Sequence, residues 1–286
     1  MNRNFREMLE ARWAEGKFVC VGLDSDYETI RRNSPLSSSP DSRVRYPDVS
    51  TTVTNFNKKI VEATKDLVCA YKPNLAFYVA YGDEGVAALN RTIMDIRILA
   101  PDVPVILDAK FADIGNTNAG YAKFAFEYLG ADAVTVNPYL GREALQPFLD
   151  RKDKGIFVLC RTSNPGSGEF QDYLDKGCSP LYQYVAFCVM NRWNENGNCA
   201  MVAGATYPGE LGGVRLIVGD MPILIPGVGA QGGNVDTTVK EGKDSRGRGM
   251  IINSSRGIIF ASSDADFAEA ARRETMKLHT LINQCQ

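Results

Sequence analysis

Histidine is almost absent from this 286-residue chain, which holds only His279, in a helical pattern near the C-terminus. That excludes a Ser-His-Asp or Cys-His centre and any multi-histidine metal site. Chemistry here has to come from lysine, carboxylates and backbone dipoles. CxxC spacing is absent as well. The seven cysteines are scattered, and Cys20, Cys69 and Cys160 sit inside strand-like runs, where a thiol is a small buried hydrophobe. Reduced thiols in a cytosol-like, cytoplasmic compartment are expected, without structural disulfides. No apolar run approaches the roughly 18 residues that span a bilayer. A formal net charge of −2 gives no general affinity for nucleic acid or acidic membranes. The opening MNRNFREMLEARWAEG alternates charged and apolar residues, so an amphipathic helix over about 2–15 is expected rather than a signal peptide.

What is present is an ordinary globular composition, 44% hydrophobic and 23% charged. Eight short β-branched runs recur, at 18–24, 67–74, 103–110, 133–139, 155–163, 199–206, 222–229 and 249–257. They are almost continuously apolar, as parallel strands covered on both faces should be. Between them, segments such as 53–65, 84–99 and 119–129 carry the spacing of amphipathic helices. Eight strand–helix alternations without a domain linker predict an α/β fold, a single-domain (β/α)₈ TIM barrel of about 250 residues. A doubly wound sheet is the rival, but it does not normally need eight consecutive units.

Nearly every run ends in polar or Gly-rich residues, so the chemistry gathers at the C-terminal face of the strands, the functional face of such barrels. Two insertions stand out. A Ser/Pro-rich excursion covers about 31–48, and NPGSGEFQD (164–172) follows the fifth strand as a candidate lid. GVGAQG (227–232) fits G-x-G-x-x-G but comes too late for a dinucleotide fold. In a barrel, the loops after strands 7 and 8 grip phosphate with backbone N–H groups, and NSSRG (253–257) offers Arg256 as a forked cation.

The stretch VILDAKFADIGNT (105–117) ends an apolar run in Asp108, Lys110 and Asp113. Strand alternation puts Asp108 and Lys110 on one face and Lys72 and Asn74 on one face of the preceding strand. Adjacent strands then bring Lys72 near Asp108 and Lys110 at the barrel mouth. Ordering several charges in one small volume is expensive unless they pair or do chemistry.

LDAKFADIGNT, with GLD, YKPN, RTSNP, PGVGAQ and NSSRG in that order, resembles the orotidine 5′-phosphate decarboxylase family, in particular its longer bacterial and protozoan branch. The resemblance runs from about residue 18 to 260. It implies conversion of orotidine 5′-phosphate to uridine 5′-phosphate in pyrimidine biosynthesis, with no cofactor and no metal. Lys110 matches the proton donor, Asp108 would face the substrate carboxylate, and Lys72 would bridge to the ribose and the charge network. Asp24 and Asn74 match ribose and network contacts, and Ser163 a contact to the pyrimidine edge. Gln231 and Arg256 match the phosphate grip, and Thr162 and Pro226 further substrate contacts. Asp113, Ile114 and Thr117 match positions that serve the neighbouring subunit's site, which implies a homodimer with shared sites. In that chemistry CO₂ leaves C6 of the pyrimidine and an in-plane carbanion remains, so preorganised charge must lower the barrier. Phosphate binding far from the breaking bond can drive lid closure.

Rival activities differ at specific residues. A metal-dependent sugar-phosphate decarboxylase or aldolase shares D-x-K-x-x-D, but its Mg²⁺ site wants a carboxylate where the second strand carries Lys72. A Schiff-base aldolase needs a depressed lysine pKa, and flanking carboxylates push it up. A barrel that binds a nucleotide without turnover would be marked by a lost catalytic residue, and none of the matched positions is lost.

Overall fold

The computed structural model of the chain describes residues 3–33, 48–174, 179–228 and 233–286. Each apolar run becomes a strand: β1 Val19–Leu23, β2 Val68–Pro73, β3 Ile106–Phe111, β4 Ala133–Val136, β5 Gly155–Arg161, β6 Cys199–Ala203, β7 Ile223–Pro226 and β8 Met250–Ser254. The pairings between named strands are all parallel, in the order β2-β1-β8-β7-β6-β5-β4-β3. The isolated bridges Tyr71↔Val105 and Asn74↔Asp108 join β2 to β3 and complete the ring. With helices between the strands, this is the expected (β/α)₈ barrel. Every residue of β1, β2, β4 and β6 is buried, as a sheet sandwiched between barrel interior and helices requires.

Some strands stop earlier than their apolar runs. The 133–139 run stops at Val136 because the Asn137 side chain accepts from the Tyr139 N–H and folds Pro138–Leu140 into a 3₁₀ turn. Pro138 also has no N–H for a ladder. The 249–257 run stops at Ser254, and Arg256–Ile259 turns helical.

Local signals start the helices. Asp48 accepts from the Thr51 N–H and caps helix Val49–Thr64, which buries Val53, Phe56, Ile60 and Val61. Helix Gly82–Leu99 follows β2. The helix expected over 119–129 begins earlier, as Gly115–Lys123, and widens into a π turn at Phe124–Tyr128.

The N-terminal helix, Phe5–Ala14, lies across the N-terminal ends of the strands. Trp13 Nε1 donates to the Met250 carbonyl at 2.8 Å, and Arg12 Nε to the Val68 carbonyl at 2.9 Å. Phe5 meets Phe157 edge-on at 5.5 Å, and a Cβ on Gly155 would collide with the Phe5 ring. The stability face of the barrel is thereby sealed, leaving the opposite end for chemistry. Helix Tyr27–Arg32 leads into the 31–48 insertion, of which 34–47 lies outside the described residues.

Candidate active site

Two carboxylates and two lysines converge where β1, β2 and β3 end. Lys72, on β2 and 4% exposed, lies 2.9 Å from Asp108 Oδ2 and 3.9 Å from Asp24 Oδ1. Lys110 Nζ donates to the other oxygen, Asp108 Oδ1, at 2.7 Å. Burial by itself would lower the Lys72 pKa, but Asp108 and Asp24 outweigh it and hold the ammonium above its ordinary range. Burial would likewise raise Asp108, yet Lys72 and Lys110 hold that carboxyl well below the usual carboxylate range. A buried charge is tolerated when it is paired and hydrogen-bonded, and here each oxygen of Asp108 has its own ammonium.

Lys110 does not reach Asp108 by simple alternation along a strand. The β3–β4 ladder pairs Leu107 with Val134 and next Phe111 with Val136, an irregularity centred on Asp108–Lys110. Lys110 itself has φ +52°, the one positive φ outside glycine among the described residues. Its side chain is half exposed at the rim while Asp108 stays buried. A bulge of this kind re-aims a side chain, and bulges concentrate next to active sites.

The backbone under Asp24 is held from behind. Neighbouring Ser25 donates to Asn57 Oδ1 at 2.5 Å, and Asn57 donates to the Tyr78 hydroxyl and to Thr92 Oγ1, each at 3.0 Å. Tyr78 in turn donates to the Leu23 carbonyl at 3.1 Å. These four polar side chains are all buried, so the end of β1 is fixed by helices outside the barrel.

Asp24, Lys72, Asn74, Asp108, Pro226 and Arg256 line one cleft of about 180 Å³. Sequence reasoning had named all six. It had not named Asn253 or Ser255, which line the same cleft and hydrogen-bond each other at 3.4 Å. The signal was the NSSRG run itself, from which only the arginine had been taken. A Cβ on Gly22 would strike Ser255 Oγ, so glycine in GLD lets β1 approach the loop after β8. The cleft thus runs from the charged array to an exposed guanidinium at Arg256.

Other expected residues among those described lie apart from this cleft. Thr162 and Ser163 follow β5, where the Thr162 N–H donates to Gln171 Oε1 at 2.9 Å and Ser163 packs against Gly204. Asp113 accepts from the Ile114 N–H at 2.7 Å, and no ion pair joins it to Lys110 of its own chain among the described residues. Ile114 is 64% exposed. Thr117 lines an outer hollow of about 500 Å³ with Leu75, Val79, Phe111, Tyr121 and Phe124. Gln231 and most of the GVGAQG stretch lie outside the described residues. Thr135, buried on β4 and bonded to both Asp108 and Lys110, had escaped sequence reasoning. Its one trace there is a hydroxyl inside an apolar run.

A sequence model described as "Orotidine 5'-phosphate decarboxylase / HUMPS family" matches residues 17–272, the whole barrel and every residue of the cleft. The chain belongs to this family. It is 46% identical over 281 residues to the orotidine 5′-phosphate decarboxylase of Janthinobacterium sp. (strain Marseille), covering 98% of each chain. Among solved structures it is similar to the Leishmania donovani OMP decarboxylase, with TM-score 0.80 and 35% identity, over 98% of this chain and 99% of that one. It is also similar to Leishmania donovani UMP synthase, with TM-score 0.81 and 36% identity, over 98% of this chain and 56% of that longer one. Family membership agrees with the D-x-K-x-x-D pattern and with the (β/α)₈ architecture. No helix among the described residues is long and apolar enough to cross a membrane.

Proposed function

We propose that this chain decarboxylates orotidine 5′-phosphate to uridine 5′-phosphate and CO₂, without a metal or cofactor. The observation that carries this reading is the Lys72–Asp108–Lys110 array, in which one buried carboxylate holds two ammonium groups at 2.9 and 2.7 Å. Arg256 across the cleft supports a role in phosphate binding, and Asp24 and Asn74 support one in ribose binding. The C6–carboxylate bond breaks and leaves its electron pair on C6, in the plane of the ring. Lys110 stabilises that charge and transfers a proton from Nζ to C6, and water restores the proton to the half-exposed amine. Asp108 keeps Lys110 aimed and faces the substrate carboxylate, adding repulsion that departure of CO₂ relieves.

The active form is a homodimer with sites shared between subunits. Asp113 makes no ion pair with Lys110 of its own chain among the described residues. Ile114, next to it in the chain, is exposed, and so are Tyr121 and Val79 in the apolar hollow that Thr117 lines. A second copy laid on this face would bury the hollow and bring the partner subunit's Asp113 towards Lys110. Six described cysteines are unpaired and five of them buried, which fits a reducing cytoplasm.

The test is uridine 5′-phosphate formation from orotidine 5′-phosphate in EDTA. Turnover is expected. Loss of turnover that added Mg²⁺ restores points instead to a metal-dependent sugar-phosphate enzyme, and binding without turnover to a silent nucleotide-binding barrel.

A further inference from the structure

Asp108, Ala109 and Lys110 on β3 lie opposite a single β4 residue, Thr135, because the flanking pairs are Leu107↔Val134 and Phe111↔Val136. In a regular parallel ladder alternate residues bond to alternate neighbours, so Lys110, two residues after Asp108, whose carbonyl accepts from Leu75, would turn its N–H away from β4 towards β2. Here it donates to the Thr135 hydroxyl instead, at 2.9 Å. An N–H can only donate, so that hydroxyl oxygen is the acceptor and its own hydrogen is free to go elsewhere. It goes to Asp108 Oδ1, 2.9 Å away. One buried side chain, 1% exposed, therefore holds the left-handed backbone of Lys110 and the carboxylate that aims its ammonium.

We propose that Thr135 is a positioning residue for the Lys110–Asp108 pair, a reading that rests on the decarboxylase function above. A non-glycine residue at φ +52° persists only where its surroundings over-determine it. Thr135 supplies that constraint from the neighbouring strand and does not itself touch substrate. It also orients Asp108: Oδ1 takes Thr135 and Lys110, which leaves Oδ2 to Lys72. Without the hydroxyl the Lys110 N–H loses its partner and Asp108 can rotate, so the ammonium moves off the line to C6. Ground-state contacts to ribose and phosphate lie on other strands and stay in place.

The experiment compares Thr135→Val, which keeps shape and β-branching but no hydroxyl, with Thr135→Ser, which keeps the hydroxyl. Steady-state kinetics with orotidine 5′-phosphate, equilibrium binding of uridine 5′-phosphate and thermal melting are measured for both and for the wild type. T135V is expected to lose roughly 10- to 100-fold in kcat, the scale of one hydrogen bond to a charged group. KM and product affinity should stay within about threefold, because uniform binding is untouched. T135S should recover kcat to within about threefold of wild type. A T135V enzyme with wild-type kcat, or a T135S enzyme as slow as T135V, overturns the proposal. So does a T135V enzyme that loses melting temperature but not kcat, since that is a purely structural role. If T135V does not fold, Thr135→Cys, with a weakly hydrogen-bonding thiol, takes its place under the same criteria. A wild-type chain without turnover rejects the decarboxylase reading itself, an outcome separate from an unaltered T135V.

Discussion

Asp108 is the residue on which the site's electrostatics turn, because its two oxygens serve Lys72, Lys110 and Thr135 together. Replacing it with asparagine keeps the shape but leaves Lys72, 4% exposed, with Asp24 at 3.9 Å as its remaining carboxylate. Breaking such a buried pair costs about 3–5 kcal/mol, so D108N should unfold at clearly lower urea than wild type at neutral pH. The sign with pH follows from the direction of the shift. The folded Asp108 carboxyl is held below its unfolded value, so its contribution is complete above about pH 3.9 and fades as pH falls towards the folded value. Lys72 is shifted the other way, and its contribution is complete below about pH 10.4 and fades as pH rises beyond it. The urea gap between wild type and D108N should therefore narrow on acidification to about pH 3. An unchanged gap between neutral pH and that point contradicts the assignment. The identities of these charges were legible in YKPN and LDAKFAD, but the left-handed turn at Lys110 was not. Nothing local marks it, since the irregularity arises from how β3 registers against β4.

At the scale of elements, the segment after β5 is tied down by one buried arginine that precedes it. Arg161, 3% exposed, places Nε and Nη2 each 2.9 Å from an oxygen of Asp172 and donates to Ser167 and to the Thr162 carbonyl. Its guanidinium stacks on Tyr207 at 3.9 Å, so the loops after β5 and β6 share an anchor. Gln171 closes the loop back on Thr162, accepting its N–H at 2.9 Å. Asp172→Ala removes the carboxylate while leaving the barrel strands untouched. Cleavage by a protease within 164–172 should accelerate roughly tenfold with unchanged circular dichroism, the scale of a lost charge-assisted bond. A cleavage rate equal to wild type contradicts the anchor. All eight strands were readable as apolar runs, and their ends were overestimated where a cap such as Asn137 turned the chain. The anchor was unreadable because RTSNP shows an arginine without showing that Asp172 and Tyr207 fold around it.

At the scale of the molecule, the barrel's one seam without a named ladder lies between β2 and β3, joined by two bridges, and the charged array sits on it. A homodimer that shares sites makes a quantitative prediction. Mixing Lys110→Ala with Asp113→Ala chains, each inactive alone, yields mixed dimers in half the population. One of the two sites in each mixed dimer has both residues, so about a quarter of wild-type activity should return. Verified mixed dimers without any recovery contradict the shared site. Sequence alone could place Asp113 near Lys110 along the chain, whereas a contact between subunits leaves no periodic trace in one chain. The barrel architecture, by contrast, was legible throughout, since burial on both sheet faces imposes its apolar pattern on every strand.

The central claim is that the Lys110 ammonium does the chemistry, and Lys110→Ala tests it most directly. The side chain is 50% exposed, so its removal should leave the melting temperature near that of wild type. Turnover of orotidine 5′-phosphate should fall by at least about 1,000-fold, since the proton donor and its charge are lost together. A folded K110A chain that retains turnover within about tenfold of wild type would contradict the account.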